Sequence, residues 1–100
     1  MMRRGIVIIN TARGAVMDEA ALVDALESGQ VASAGLDVFE NEPQIHPALL
    51  ANQNVLLLPH MGTATLETDQ KMEEWALDNL RLALTEGRLK SIVPEQKHLA

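Results

Sequence analysis

Cysteine and tyrosine are absent from this chain of 100 residues, and phenylalanine and tryptophan occur once each. Without cysteine there is no disulfide framework and no thiolate nucleophile or ligand, a usage compatible with a reducing compartment. With aromatics at 2%, no platform exists for stacking bases, and aliphatic side chains must fill the core. Basic residues are scarce too: eight Lys and Arg against fourteen Asp and Glu give a formal charge of -6, with no basic patch. That balance argues against nucleic acid and anionic membrane as partners, because both select positive surfaces. No signal or transit peptide, no apolar run of bilayer length, no internal repeat and no metal site can be read from the sequence. A cytoplasmic protein is the expectation.

What is present is apolar sequence in short, punctuated runs, 47% of the chain and enough to fill the core of one small domain. Met1 to Gly5 read as the end of a helix with a glycine stop. Ile6, Val7, Ile8 and Ile9 have the composition of a central parallel strand, and Asn10, Thr11, Ala12, Arg13 and Gly14 form a polar turn after it. Asp18 can cap a helix with apolar positions Ala21, Leu22, Ala25 and Leu26, which Gly29 stops. Val31 to Leu36 give a second short strand, leading to Asp37, Val38 and Phe39. Residues 40 to 53 form an acidic, proline-punctuated connection with one helical turn at Pro47 to Leu50. Val55 to Leu58 read as a strand buried on both faces, which Pro59, His60, Met61 and Gly62 end abruptly.

Thr63 or Thr65 can then cap a long helix that Gly87 ends. Its stripe of Met72, Ala76, Leu80, Ala83 and Leu84, broadened by Trp75 and Leu77, predicts a helix buried on more than one side, its stripe part of the core. The tail from Arg88 to Ala100 has enough apolar character in Leu89, Ile92 and Val93 to dock, then turns polar and is expected to fray. The fold expected is α/β with a short parallel sheet: strands near 6 to 9, 32 to 36 and 54 to 58, helices near 18 to 28 and 65 to 86.

Parallel strands bring their C-terminal ends to one edge, and here each end delivers a chemically useful side chain: Arg13, then Asp37 with Glu42 close behind, then His60. An imidazole titrates near neutrality, a carboxylate beside it stabilises its protonated form, and a guanidinium forks onto a carboxylate. Together they suit proton transfer to a carbonyl on an anionic 2-oxo or 2-hydroxy acid. Each residue also has a plain alternative. His60 alone could be structural or merely exposed, Arg13 could bind a helix C-terminus or a surface carboxylate, and Asp37 could be a turn or cap residue. Glu42 could be loop solvation, and Glu40, separated from it by one residue, is a competing partner that spacing cannot exclude. His46 and His98 carry less weight.

The stretches NTARGAVMDEAALVDALESGQVASAGLDVFENEP and NVLLLPHMGTAT resemble the C-terminal half of the nucleotide-binding domain of the D-isomer-specific 2-hydroxyacid dehydrogenases. Three motifs stand in that family's order and spacing through residues 5 to 87, and the wording DVFENEP, HPALL and LLPHMGTAT is most similar to its glyoxylate and hydroxypyruvate reductases. The resemblance implies that Arg13 contacts the substrate's carboxylate and carbonyl. It also implies that Glu42, rather than Glu40, pairs with His60 and raises its pKa, and that His60 protonates the carbonyl oxygen as hydride arrives from NAD or NADP. Asp37 matches the aspartate that holds the nicotinamide carboxamide, with Thr11, Ala12 and Gly62 nearby. A homodimer is implied for the family's full-length context.

On the same resemblance, residues 1–64 are the C-terminal part of a Rossmann-type NAD(P)-binding domain. Residues 65–100 are a long crossover helix and a tail that packs on a substrate domain. No G-x-G-x-x-G follows a strand here, so the pyrophosphate-binding helix start and the acidic ribose ligand are missing, as is the loop that discriminates NAD from NADP. A truncated gene product, a fragment and one part of a split enzyme all fit, and the strand at Ile6 to Ile9 is expected to present an apolar edge. Two functions follow. One is the catalytic half of an NAD(P)-dependent oxidoreductase acting on D-2-hydroxy acids, reducing 2-oxo acids such as glyoxylate or hydroxypyruvate. The other is a catalytically inactive fragment or interaction module.

Overall fold

The computed structural model describes residues Met2–Leu99; the expectations that touch Met1 and Ala100 lie outside the described residues. The chain divides into two compact units, Met1–Gly62 and Thr63–Ala100.

The first unit is α/β. Strands β1 (Ile6–Asn10), β2 (Val31–Leu36) and β3 (Val55–Leu57) form one parallel sheet in the order β1-β2-β3. Parallel pairing requires crossovers. The first holds a short 3-10 helix (Gly14–Val16) and helix α1 (Glu19–Glu27), and the second holds helix α2 (Pro47–Ala51). Asp18 caps α1 by accepting from the Ala21 N–H at 2.9 Å, and Gly29, with φ 71°, follows its end in the left-handed conformation that glycine adopts without cost. His46 caps α2, its Nδ1 accepting from the Ala48 N–H at 3.2 Å. That engages His46 as a cap, in keeping with its small weight as a chemical group.

The core lies on one face of this sheet. Leu22, Val31, Ala34, Leu36, Phe39 and Leu49 are buried together, with Ile6, Ile8, Val55 and Leu57 packed against them. Leu49 is wholly buried, a contribution of roughly 1.5–3 kcal/mol from its side chain. The opposite face is open. Val7, Ile9 and Leu56 are exposed and line a shallow depression of about 560 Å³. The strand at 55 to 58 is therefore not buried on both faces as its composition predicts. An apolar run records that both faces are meant for burial, whereas only one is covered among the described residues.

Two further expectations change. Met2 to Gly5 form no helix; Arg4 and Gly5 make a turn in which Gly5 has φ 77° and its N–H donates to Gln30 O at 2.9 Å. That bond and one from Arg4 Nη2 to Ser28 O tie the segment to the turn after α1 instead. The second unit holds helix α3 (Leu66–Glu86), capped by Thr65 and ended by Gly87 at φ 65°. Met72, Trp75, Leu77, Leu80 and Leu84 are all exposed, and Leu82 is the helix's buried residue. The stripe is thus exposed rather than core among the described residues: its spacing is helical, and Trp75 within it meets the tail. Polar contacts fix the start of the tail on α3. Trp75 Nε1 donates to Ser91 Oγ, Asn79 Oδ1 accepts from the Lys90 and Ser91 N–H groups, and the Lys90 ammonium lies 4.1 Å from the Trp75 ring centre. Pro94–Leu99 then form a 3-10 helix rather than an unstructured end. No helix among the described residues is long and apolar enough to cross a membrane.

The register aligns the strand ends. Asn10 pairs with Leu36, and Leu36 with Leu57, so the loops beginning at residues 11, 37 and 58 leave from one edge of the sheet. Gly14 lets the first loop lie against the second: a Cβ there meets the carbonyl carbon and oxygen of Phe39 at 1.9 Å and Glu40 N at 2.4 Å. Gly14→Ala must push two backbones apart and is expected to destabilise the first unit by about 1–3 kcal/mol. Urea unfolding followed by circular dichroism or amide exchange checks this, since the single Trp lies in the other unit.

Candidate active site

The three loops are held by hydrogen bonds that begin at the strand ends. Asn10, 6% exposed, closes an Asx turn: its Oδ1 accepts from the Ala12 N–H at 3.1 Å, and its Nδ2 donates to Arg13 O at 3.0 Å. Its backbone oxygen accepts from the Asp37 N–H at 3.0 Å, joining the first two loops. Arg13 is exposed and extended, and its Nη1 donates to Ala12 O at 2.7 Å.

Asp37 is 4% exposed, and each of its carboxylate oxygens accepts one N–H from the third loop: Met61 on Oδ1 and Gly62 on Oδ2, both at 2.8 Å. A Cβ on Gly62 sits 3.0 Å from Asp37 Oδ2, so the residue without a side chain gives the closest approach. These bonds hold the backbone just after His60, which has φ 54° and is the one non-glycine residue with positive φ among those described. His60 Nδ1 then lies 2.8 Å from Glu42 Oε2. The other oxygen of Glu42 accepts from the Phe39 N–H at 3.0 Å.

Of the sequence-predicted residues, Glu42 and His60 are in direct contact, and Asp37 and Gly62 are bonded to each other beside them. Arg13 touches neither member of the pair, although its charge reaches Glu42. Glu40 turns the other way, its Oε2 accepting from the Glu19 N–H at 3.3 Å. Glu42 is held below the ordinary carboxylate pKa. The hydrogen bond from His60 is the largest cause and that from Phe39 N–H the next. Desolvation opposes them, and the charges of His60 and Arg13 add smaller effects. A pocket of about 210 Å³ borders the pair, lined by Phe39, Glu42, Pro43, Ile45, Pro59 and His60.

Sequence reasoning did not single out Asn10 or Glu19. Asn10 carried a readable signal, an asparagine closing a β-branched run where an Asx turn is expected. Glu19, 6% exposed, carried none, since an acidic residue in the first turn of a helix reads as a dipole partner. Among the described residues no group of three or more His, Asp or Glu side chains is arranged to hold a metal ion.

The nicotinamide cofactor implied by the resemblance can be tested against these groups. Each Asp37 oxygen has a lone pair beyond the N–H it already accepts, suited to a carboxamide, and the Thr11 side chain is exposed at the adjoining strand end. Ala12 has its N–H and carbonyl engaged within its own loop, so it can line a ring without binding it. The nicotinamide end fits. Among the described residues of the first unit, the start of α1 carries Asp18 and Glu19, carboxylates that repel an anion, so it offers the diphosphate no seat.

Residues 1–62 match the family described as "D-isomer specific 2-hydroxyacid dehydrogenase, NAD binding domain". The chain is 57% identical over 98 residues to 4-methyl-2-oxopentanoate reductase A of Aspergillus oryzae, covering 98% of this chain and 30% of that protein. Among solved structures it is similar to a glyoxylate reductase from Paecilomyes thermophila: 61% identity, TM-score 0.88, 96% of this chain and 29% of that one. It is also similar to an NADPH-dependent glyoxylate/hydroxypyruvate reductase from Sinorhizobium meliloti in complex with NADP and malonate: 48% identity, TM-score 0.82, 89% of this chain and 28% of that one. The chain spans less than a third of the length of these relatives.

A lowered Glu42 pKa gives a pH dependence of known sign. The folded state binds this proton less readily than the unfolded state. The stability from Glu42 is therefore fully present above its ordinary value of 4.5 and is lost as pH falls through the depressed folded value. Unfolding midpoints in urea, measured from neutrality into acid, should fall less steeply in Glu42→Gln than in the parent. Parallel curves would show that Glu42 contributes nothing to the acid limb.

Proposed function

The chain belongs to the D-isomer-specific 2-hydroxyacid dehydrogenases, and from that premise we propose that it supplies the acid-base edge of an NAD(P)-dependent oxidoreductase that reduces 2-oxo acids such as glyoxylate or hydroxypyruvate. The observation that carries this reading is the 2.8 Å contact of His60 with Glu42 at the carboxyl edge of a parallel sheet.

Glu42 holds the proton of His60 Nδ1, which fixes the tautomer and turns Nε2 toward the reacting oxygen. The His60 side chain is 48% exposed, so a small 2-oxo acid can reach it. His60 gives its proton to the carbonyl oxygen during reduction and takes it back from the hydroxyl during oxidation. Arg13, whose guanidinium has further N–H donors beyond the one on Ala12 O, forks onto the substrate's carboxylate and orients its carbonyl. Asp37 and Thr11 offer polar atoms to the carboxamide, and Ala12 and Gly62 line the ring. A nicotinamide dinucleotide bound there supplies or accepts the hydride. The choice between NAD and NADP depends on groups near the adenosine ribose that residues 2–99 do not carry.

A graft tests the whole reading. With this chain replacing the matching segment of the Paecilomyes thermophila glyoxylate reductase, the hybrid is expected to oxidise reduced cofactor with glyoxylate or hydroxypyruvate. His60→Ala should lower kcat by about 10²–10⁴-fold, and Arg13→Ala should act mainly on KM. A folded hybrid with no such turnover, or one indifferent to His60→Ala, sinks the proposal.

A further inference from the structure

Glu19 takes no part in the hydrogen bonds of Arg13, Asp37, Glu42 or His60, yet it is a nearly fully buried carboxylate with a short hydrogen bond. Its Oε1 accepts from the Glu40 N–H at 2.7 Å, and its own N–H donates to Glu40 Oε2 at 3.3 Å. Side chain and backbone of the two residues thus bond reciprocally, joining the start of α1 to the loop after β2. Gly14, between Arg13 and Glu19, packs against the same Phe39–Glu40 backbone.

The consequence follows from chain connectivity. The Glu40 N–H that Glu19 holds is one residue from the Phe39 N–H that Glu42 holds with Oε1, while Glu42 Oε2 meets His60. A rotation of the Phe39–Glu40 segment therefore moves both anchors together. On the other side, Glu19 is joined to Arg13 through the short 3-10 helix Gly14–Val16, whose Gly14 packs on the same segment. We infer that Glu19 and Glu40 are positioning residues whose reciprocal clasp sets the geometry of the His60–Glu42 pair relative to Arg13. This rests on the functional reading above. An isolated structural contact does not require the acceptor of one loop to lie next to the donor that orients the acid-base pair.

The chain itself supplies the first readout. In Glu19→Ala the NMR resonance of the His60 Nδ1 proton should shift and its exchange with water accelerate, as should that of the Glu40 amide; Glu19→Gln, whose amide oxygen still accepts, should restore both. Val31→Ala, a cavity at the opposite end of β2 from the clasp, should leave the His60 resonance in place. If Glu19→Ala does not fold, Glu40→Ala, at an exposed position, should shift the same resonance by removing the reciprocal acceptor. In the graft, Glu19→Ala should lower kcat/KM by up to about 100-fold. Glu19→Gln should stay within roughly threefold, and in a Glu42→Gln background the Glu19→Ala loss should shrink to about threefold because the route to His60 is already cut. An unmoved His60 resonance in the clasp variants, or losses that multiply undiminished in the double variant, overturns the inference. A graft without turnover overturns the functional reading instead, and the NMR comparison still decides the clasp.

Discussion

Two consecutive backbone N–H groups, those of Phe39 and Glu40, fix where the charges of the site stand. Each donates to a carboxylate, Phe39 to Glu42 and Glu40 to Glu19. Two residues earlier, the Asp37 carboxylate takes the N–H groups of Met61 and Gly62. The segment 37–42 is therefore the spine from which the first and third loops are held, and it continues the middle strand of the sheet. A carboxylate taken out of water without donors costs several kcal/mol. Among the described residues every buried side-chain nitrogen or oxygen has a hydrogen-bond partner, so the polar cluster stands without that penalty. Sheet register brings the loops together, and the spine converts that proximity into defined contacts.

The parts of this arrangement legible in the sequence are those set by local chemistry. Short apolar runs gave the strands, Asp18 and the choice of Thr63 or Thr65 the helix starts, and Gly29 and Gly87 the stops, because caps and left-handed glycines act within a few residues. The motif positions of Arg13, Glu42 and His60 followed from family resemblance, while spacing left Glu40 and Glu42 open. What separates those two is which way each side chain leaves a turn, and that depends on Phe39 N–H and on Glu19, 21 residues before Glu40. The burial of Glu19 was not legible for the same reason: it arises from a loop distant in sequence. Arg13 shows the converse. The resemblance singled it out, yet its guanidinium folds back on Ala12 O, since an exposed side chain takes the nearest acceptor.

Two apolar faces are exposed where their pattern predicts burial, although the elements that carry them form as expected. Val7, Ile9 and Leu56 on the sheet, and Met72, Trp75 and Leu80 on α3, have the spacing of core positions and are exposed. Composition reports what a surface is suited to contact, whereas coverage depends on what is there to cover it. The hydrogen bonds around Asp37, Glu19 and Glu42 close within residues 10 to 62 and do not draw on the open face of the sheet.

His60 shows how the site's geometry is sustained. A non-glycine residue with φ 54° gives up about 1–2 kcal/mol to the close approach of its Cβ and carbonyl oxygen. Each hydrogen bond from a backbone N–H to a carboxylate contributes roughly 1.5–3 kcal/mol, and Asp37 accepts two of them immediately after His60. The pair of bonds outweighs the backbone cost, so the left-handed turn is stable as built. A glycine at position 60 would relieve the strain and remove the imidazole, whereas an extended histidine would carry the ring away from Glu42. The strained backbone is thus the condition for meeting two demands at once: the loop must reverse at the end of β3, and the ring must reach a carboxylate 18 residues earlier in the chain. Asp37 matters to the acid-base pair through this constraint, whatever else it binds.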